Sequence, residues 1–329
     1  MAGTMRAVVF EQPGDPEVLH IAEVPDPVPA PGEVLLRVRA TAVNRADLLQ
    51  RRGFYPPPPG ASPILGLEAA GEVESITEGV QQWSPGMRAG ALLAGGGYAE
   101  KVAVPAGQLM PVPDNIDIIT AAAIPEVFLT AHDNLITRGR LQRDQTVLIH
   151  GGAGGVGTAA IQVAKRAGAT VIATAGSAQR LQVCRELGAD HGINHRKEDF
   201  VARVAEITGG RGVELVLDII GAAYLERNLR SLAHDGTLVG IGMQGGVRAE
   251  IDLNMMLMRR LTLVGTTLRS RPTEQKAEIV RRAAADLLPG FADGSLRPVV
   301  DRVLPLERAA EAHRAMGAGE PVGKIVLAT

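Results

Sequence analysis

Two groups of residues in this chain could do chemistry together. One is a glycine cluster that can bring backbone amides against phosphate, and the other is a set of polar side chains about twenty residues further on. The run Val147-Leu148-Ile149-His150-Gly151-Gly152-Ala153-Gly154-Gly155-Val156-Gly157 passes from aliphatic residues into glycines, and Thr158–Lys165 continues with helical spacing. Gly152, Gly154 and Gly157 satisfy G-x-G-x-x-G. The first glycine permits a tight turn, the second lets backbone approach a pyrophosphate, and the third lets helix pack close to strand. The helix amides then face the phosphates. In a chain with 39 glycines the motif alone is weak. Its position at a strand-to-helix junction is what predicts a dinucleotide site. Sites selective for NAD carry an acidic residue about 20 positions later, on the ribose hydroxyls. Here no Asp or Glu occurs between Thr158 and Arg185. Gly176, Ser177 and Arg180 stand there instead, offering room, a hydroxyl and a cation. A carboxylate would repel a 2′-phosphate, whereas arginine pairs with one, so the expected cofactor is NADP(H).

The elements that must position these residues fall into two groups. Met5–Phe10, Leu19–Glu23, Glu33–Ala42, Ala69–Ile76 and Gly97–Val104 read as short strands punctuated by Gly and Pro, which predicts a partly open barrel or sandwich. Tyr55-Pro56-Pro57-Pro58-Pro59-Gly60 should be extended, polyproline-like backbone. From Ala121 the pattern changes. Val147–His150, Thr170–Thr174, Val213–Asp218, Thr237–Ile241 and Leu261–Thr266 look like buried parallel strands alternating with helices, among them Ala121–Leu135, Ala178–Leu187 and Lys197–Thr208. That alternation implies right-handed crossovers and a doubly wound sheet. Glu274–Leu288 and Leu306–Met316 read as further helices, and Gly323–Ala328 as a strand returning to the first domain.

Composition excludes several classes. The 329 residues are 46% hydrophobic and 21% charged, with a formal net charge of −2 and a pI near 6.4. A balanced charge leaves no footprint for nucleic acid or an anionic membrane, and no apolar run reaches the length of a membrane span. The single cysteine, Cys184, permits no intramolecular disulfide and fits a reducing, cytoplasmic setting.

The whole chain from residue 5 resembles the medium-chain dehydrogenase/reductase superfamily, and within it the zinc-independent quinone oxidoreductases, including the zeta-crystallin type. The residues that carry the resemblance are Ala42-Val43-Asn44-Arg45-Ala46-Asp47, Gly53-Phe54-Tyr55-Pro56, Gly66-Leu67-Glu68-Ala69-Ala70-Gly71, Ala121–Thr130, the glycine motif and Gly323-Lys324-Ile325-Val326-Leu327. The implied fold is α/β, with a GroES-like β-barrel catalytic domain (1–125 and 290–329) and a Rossmann NADP(H)-binding domain (126–289), the cofactor lying in the cleft between them. In zinc-dependent relatives the segment matching Ala42–Asp47 carries a cysteine ligand and the one matching Gly66–Glu68 a histidine. This chain has Asn44 and Leu67, and leucine cannot ligate while asparagine is a poor soft-metal ligand. No metal is therefore expected. His191 and His195 are four apart, but Gly192 between them suggests a turn.

What the resemblance implies is hydride transfer to an acceptor electrophilic enough to need no metal. Asn44 would donate to the acceptor oxygen, and Tyr55 would be a donor, a stacking wall or packing. Thr130 would contact the nicotinamide side, and Gly155 and Val156 would present phosphate-facing backbone. Gly242, Met243, Leu268 and Arg269 would line the cofactor from later loops, and Lys324 would reach it from the returning strand. His195 takes a place where relatives often carry a tyrosine near the 2′-phosphate, which would make NADPH affinity sensitive to pH. No dedicated general acid stands out. Asp47 and Glu68 read as ion-pair partners, His150 as a packed histidine and Cys184 as inert core. The leading function is an NADPH-dependent reductase of small quinones without metal or flavin. The alternatives are an enone or enoyl-thioester reductase, and a low-turnover NADPH-binding protein of crystallin type. An exposed edge strand near Leu261–Thr267 would pair two copies into a dimer.

Overall fold

The computed structural model describes residues 3–329. It divides the chain into two compact units, one running to Leu129 and resuming at Leu268–Thr329, the other Thr130–Thr267. Among the described residues no helix is long and apolar enough to cross a membrane.

The first unit is built on a seven-stranded sheet. Its spine is Glu33–Ala42, where Val34, Leu36, Val38 and Ala40 alternate inward and are buried, as a half-buried strand of period two requires. Glu68–Ile76 and Lys101–Pro105 pair with it antiparallel. The C-terminal strand Lys324–Ala328 also pairs with it, Val326 opposite Ala42, and pairs in parallel with Val300–Pro305 on its other side. The last strand thus returns to the sheet of the first unit. One barrel core gathers Leu36, Val73, Trp83, Val102 and Leu109. A second gathers Leu48, Leu65, Tyr98, Leu306, Ile325 and Leu327, and it holds down the helix Arg45–Arg51 that follows Asn44.

The second unit is a six-stranded sheet in the order His191–Asn194, Thr170–Ala175, Thr146–Ile149, Val213–Asp218, Leu232–Gly240, Thr262–Gly265. Every pairing is parallel. This is the 3-2-1-4-5-6 order of a Rossmann sheet, with its switch point beside Thr146–Ile149.

Three differences from the sequence reading have physical causes. The division after Thr267 leaves the helix Thr273–Ala292 in the first unit, whereas 126–289 was expected to be one domain. Phe291 meets Phe128 edge to face at 4.8 Å and its carbonyl accepts from Asn115 Nδ2, so side-chain packing rather than sequence order assigns this helix. The strand expected at Gly97–Val104 begins only at Lys101, because Gly95–Gly97 turns against Ile64–Gly66. Gly192 does not make a turn: His191–Asn194 is the edge strand, and the missing side chain leaves room for Leu181 at 3.1 Å.

Candidate functional site

In the second unit the strand Thr146–Ile149 runs into the helix Gly155–Arg166 through the glycine loop. The left-handed residue of the turn is Gly151 (φ +68°), not Gly152. Gly152 instead gives way to packing, since a β-carbon there would lie 2.9 Å from Cys184 Sγ. Burial pushes that thiol up to about 11, which keeps it inert. At Gly157 a β-carbon would come within 2.2 Å of the Gly151 carbonyl, so helix and turn touch as the motif requires. Gly154 is the N-cap and carries no capping side chain. The first intrahelical bond is Thr158 N to Gly154 O, which leaves the N–H groups of Gly155, Val156 and Gly157 pointing out of the helix end. Those orphan donors and the positive end of the helix dipole favour an anion.

Past the strand Thr170–Ala175, Gly176 and half-buried Ser177 lead into the helix Ala178–Glu186, with Ser177 Oγ capping Arg180 N at 3.3 Å. His195 N bonds to Ala175 O. A β-carbon on Gly176 would meet Arg196 Nε at 3.0 Å and His195 Nε2 at 3.4 Å. Arg196, which sequence reasoning missed, therefore lies directly against Gly176, and its position next to His195 was the available signal. Partial burial and the Arg196 charge hold the His195 imidazole below its usual range. Thr130, at the start of this unit, has its carbonyl accepting from Asn134 Nδ2 at 2.8 Å. Gly242 packs on the Ile219 backbone, and the neighbouring Met243 is 65% exposed.

The first unit holds a buried polar cluster. Glu68 is fully buried at the start of its strand. Its Oε1 accepts from Asn44 Nδ2 (2.9 Å) and is ion-paired with Lys324 Nζ at 2.8 Å, and its Oε2 accepts from the backbone N–H of Glu126 (2.9 Å). Lys324 Nζ also donates to Val43 O (2.8 Å) and Asn44 Oδ1 (2.6 Å). Lys324 is thus a buried cation held by two hydrogen bonds and an ion pair to Glu68. Asn44 is likewise committed. Its second amide N–H goes to Ala42 O at 3.1 Å, and this orientation is the only one that matches donors to acceptors on both sides.

Asp47 closes a capping box with Asn44, taking the Asn44 N–H at 2.7 Å, the Gly66 N–H at 3.1 Å and the Tyr98 hydroxyl at 3.3 Å. Burial pushes its carboxyl up to about 6. Arg269, expected at the cofactor, is buried and straps loops together. It donates to Ala94 O (2.8 Å), Tyr55 O (3.1 Å) and Gln50 Oε1 (2.6 Å), with its guanidinium 5.2 Å from the Tyr55 ring centre. Gln50 in turn donates to Pro63 O. This strap explains how the proline-rich segment is held. Leu268 beside it is buried, and Tyr55 is half-buried. Among the described residues no group of three or more His, Cys, Asp or Glu could hold a metal ion.

Glu126 went unnoticed in the sequence because an acid in a first helical turn ordinarily serves the helix dipole. Here it follows Pro125 into the helix Pro125–His132. Burial, then the Glu68 charge, pushes its carboxyl up to about 8, against the pull of Lys324 and Arg269.

Comparison with known proteins gives a consistent picture. Residues 30–114 match the alcohol dehydrogenase GroES-like domain and residues 155–285 the zinc-binding dehydrogenase domain. The chain is 30% identical to the human quinone oxidoreductase over 327 residues, 98% of this chain and 97% of that protein. It is 31% identical to a segment of a phenolphthiocerol/phthiocerol polyketide synthase of Mycobacterium tuberculosis, spanning 99% of this chain and 15% of the synthase. Among solved structures, the Escherichia coli quinone oxidoreductase complexed with NADPH aligns with a TM-score of 0.88 at 32% identity, covering 98% of this chain and all of that one. A protein described as an NAD-dependent alcohol dehydrogenase aligns at 0.87 and 34%, covering 99% of this chain and all of that one.

Proposed function

We infer the activity of this chain from its family: it belongs to the zinc-independent quinone oxidoreductases of the medium-chain dehydrogenase/reductase superfamily. It is an enzyme whose reductant we take to be NADPH and whose acceptor we take to be a small quinone. The observation that carries this reading is the Lys324 ammonium bonded to both Asn44 and Glu68. A zinc ion would need soft ligands there, and the chain offers a committed amide, the buried hydrocarbon of Leu67 and a fixed ammonium. Zinc does not fit, so the acceptor must be electrophilic without Lewis-acid help.

The second unit fits a 2′-phosphorylated dinucleotide. The N–H groups of Gly155, Val156 and Gly157 would hold its pyrophosphate. Ser177, Arg180, His195 and Arg196 would surround the 2′-phosphate, with Gly176 leaving space. Thr130, Gly242 and Met243 would border the nicotinamide end. When bound, NADPH supplies the hydride. The protein's part is to orient the acceptor: Arg269 fixes the Tyr55 loop, and Tyr55 offers the acceptor a ring face and a hydroxyl. Steady-state NADPH oxidation with ortho- and para-quinones tests this. Turnover with quinones supports it, and micromolar NADPH binding without turnover of any acceptor would point to the crystallin-type reading instead.

The match to a polyketide synthase segment favours a second reading, reduction of an enone or enoyl thioester. A crotonyl thioester and 2-alkenals in the same assay separate the two. We further propose a homodimer in the cytoplasm. The edge strand Thr262–Gly265 exposes Leu263, and the preceding helix exposes Leu253, Leu257 and Met258. An open edge beside an apolar face invites pairing with a second copy. Sedimentation showing only monomer at micromolar concentration would remove the dimer.

A further inference from the structure

The polar cluster of the first unit contains three carboxyl groups, and two of them are consumed. Asp47 accepts from two backbone N–H groups and a hydroxyl. Glu68 accepts from Asn44 and the Glu126 backbone and is ion-paired with Lys324. The Glu126 carboxyl has no hydrogen bond among the described residues and is partly exposed. Its backbone is nonetheless fixed, because the same Glu68 carboxylate holds the Glu126 N–H on one oxygen and the Asn44 amide on the other. Glu126 therefore sits one carboxylate away from Asn44, with its own acid group uncommitted. A second uncommitted group faces it from the helix Thr273–Ala292. Lys276 is 5% exposed, has no hydrogen bond among the described residues, and interacts electrostatically with Glu126 and Arg269. Burial lowers the Lys276 ammonium from its usual range, while the Glu126 charge opposes that shift.

A quinone that receives a hydride still needs a proton on its second oxygen. Asn44 cannot provide it, since both amide protons are engaged and an amide is no acid. Lys324 is held by Val43 O, Asn44 Oδ1 and the Glu68 charge. We propose that Glu126 is the proton donor of the reductase reaction, with Lys276 one of the cations that bear on it. This rests on the function inferred above. In the step, the quinone gains two electrons and one hydrogen as hydride from the reduced nicotinamide, which is oxidised. The O–H bond of the Glu126 carboxyl breaks, its proton forms a new O–H bond on the quinone oxygen, and the carboxylate is reprotonated from water. The charged groups facing Glu126 are Glu68, Lys324, Asp47, Arg269 and Lys276. The carboxylates favour the protonated acid and the cations oppose it. The acid is pushed up to about 8, so it is largely protonated at neutral pH and poised for transfer.

Infrared titration of the cofactor-free protein reads the acid directly. A carboxylic-acid C=O band should persist at neutral pH, disappear near pH 8, and be absent from Glu126→Gln. The kcat of the wild type with para-quinones should fall along the same limb. Glu126→Gln should lower kcat by roughly 100-fold or more and flatten that limb, with NADPH affinity unchanged. Lys276→Met removes a cation facing the acid, so both the band and the limb should move to higher pH. A wild type that turns over quinones beside a Glu126→Gln enzyme with the same kcat and limb overturns Glu126 while leaving the quinone reading intact. If Glu126→Gln does not fold, an unmoved band and limb in Lys276→Met overturn the proposal. A wild type that binds NADPH yet reduces no quinone and no enone removes the functional reading and this one with it.

Discussion

Replacing Lys324 by methionine should be the most damaging single change in the first unit that leaves the backbone untouched. The ammonium is 2% exposed and its partner Glu68 is 0% exposed. Removing it takes away the cation 2.8 Å from Glu68 Oε1 and leaves Asn44 Oδ1 and Val43 O without their donors at 2.6 and 2.8 Å. Glu68 keeps the Asn44 amide and the Glu126 N–H, so its charge is partly solvated by protein dipoles. Breaking a buried ion pair from one side costs about 3–5 kcal/mol. Those two remaining bonds place the expected loss toward the lower half of that range, and the two abandoned oxygens push it back up by ~1 kcal/mol or more. The only tryptophan, Trp83, lies in the core of this unit with its indole N–H on Ala106 O. Its fluorescence in urea therefore follows this unit. Lys324→Met should lose about 3–5 kcal/mol by that signal. Glu68→Gln alone should also be costly, and the double variant should be less unstable than the sum of the singles by roughly 2 kcal/mol. A loss under about 1 kcal/mol for Lys324→Met, a value typical of exposed pairs, or strict additivity in the cycle, would refute the assignment of Lys324 as the buried structural cation.

Four other outcomes follow from the second unit. Gly157→Ala should abolish NADPH binding and destabilise the sheet, because its β-carbon meets the Gly151 carbonyl at 2.2 Å, while Gly154→Ala, with its nearest neighbour at 3.4 Å, should keep the cofactor-free melting temperature; calorimetry and fluorescence titration compare the two. Arg196→Met should weaken NADPH by roughly 10-fold or more and leave NADH alone. Since the His195 imidazole is held below its usual range, NADPH affinity should fall as pH rises through the acid side of neutrality and be flatter in His195→Gln, as isothermal titration at several pH values would report. His150 is held at about 4 by burial, between Thr174 and Asn228. Its neutral form stabilises the fold above the unfolded value of 6.5, and that contribution drains away as pH falls toward 4, by roughly 3 kcal/mol in all. His150→Gln should be less stable at pH 8 but lose less on acidification, read by circular dichroism in urea.

The sequence exposed the parts of this protein that rest on local rules. Strand, glycine turn and helix from Thr146 to Arg166 follow from residue type and spacing, and the missing acid before Arg185 says which phosphate suits the site. Composition and motif likewise brought Lys324–Ala328 back to the first unit. What escaped is non-local. Asn44, Glu68, Glu126 and Lys324 span 280 residues between the outer members of a hydrogen-bonded set, and nothing in their separate contexts says that Glu68 and Lys324 hold the Asn44 amide between them. Arg269 shows the same thing: the resemblance puts it beside the cofactor, and only the folded chain shows its bonds to Ala94, Tyr55 and Gln50. The placement of the Thr273–Ala292 helix was hidden because the decisive contact, Phe291 on Phe128, is a packing choice that amphipathic periodicity does not encode.

Charge balance ties the committed and uncommitted halves of the polar cluster together. The cations that bear on it are Lys324, Arg269 and Lys276, and its other carboxyls are Glu68 and Asp47. Asp47, at about 6, is mostly ionised at pH 7, so with Glu126 protonated three positive charges face two negative ones. That surplus of one can be met either by ionising Glu126 or by an oxyanion forming on a bound acceptor, but it cannot serve both at full strength. A proton passed from Glu126 to the acceptor moves the negative charge from one claimant to the other without changing the sum. Within a buried cluster, where creating a new unbalanced charge is expensive, a transfer that conserves the charge is the inexpensive one. The surplus cation is what makes Glu126 an acid that can give its proton away and still be tolerated as a carboxylate until water returns it.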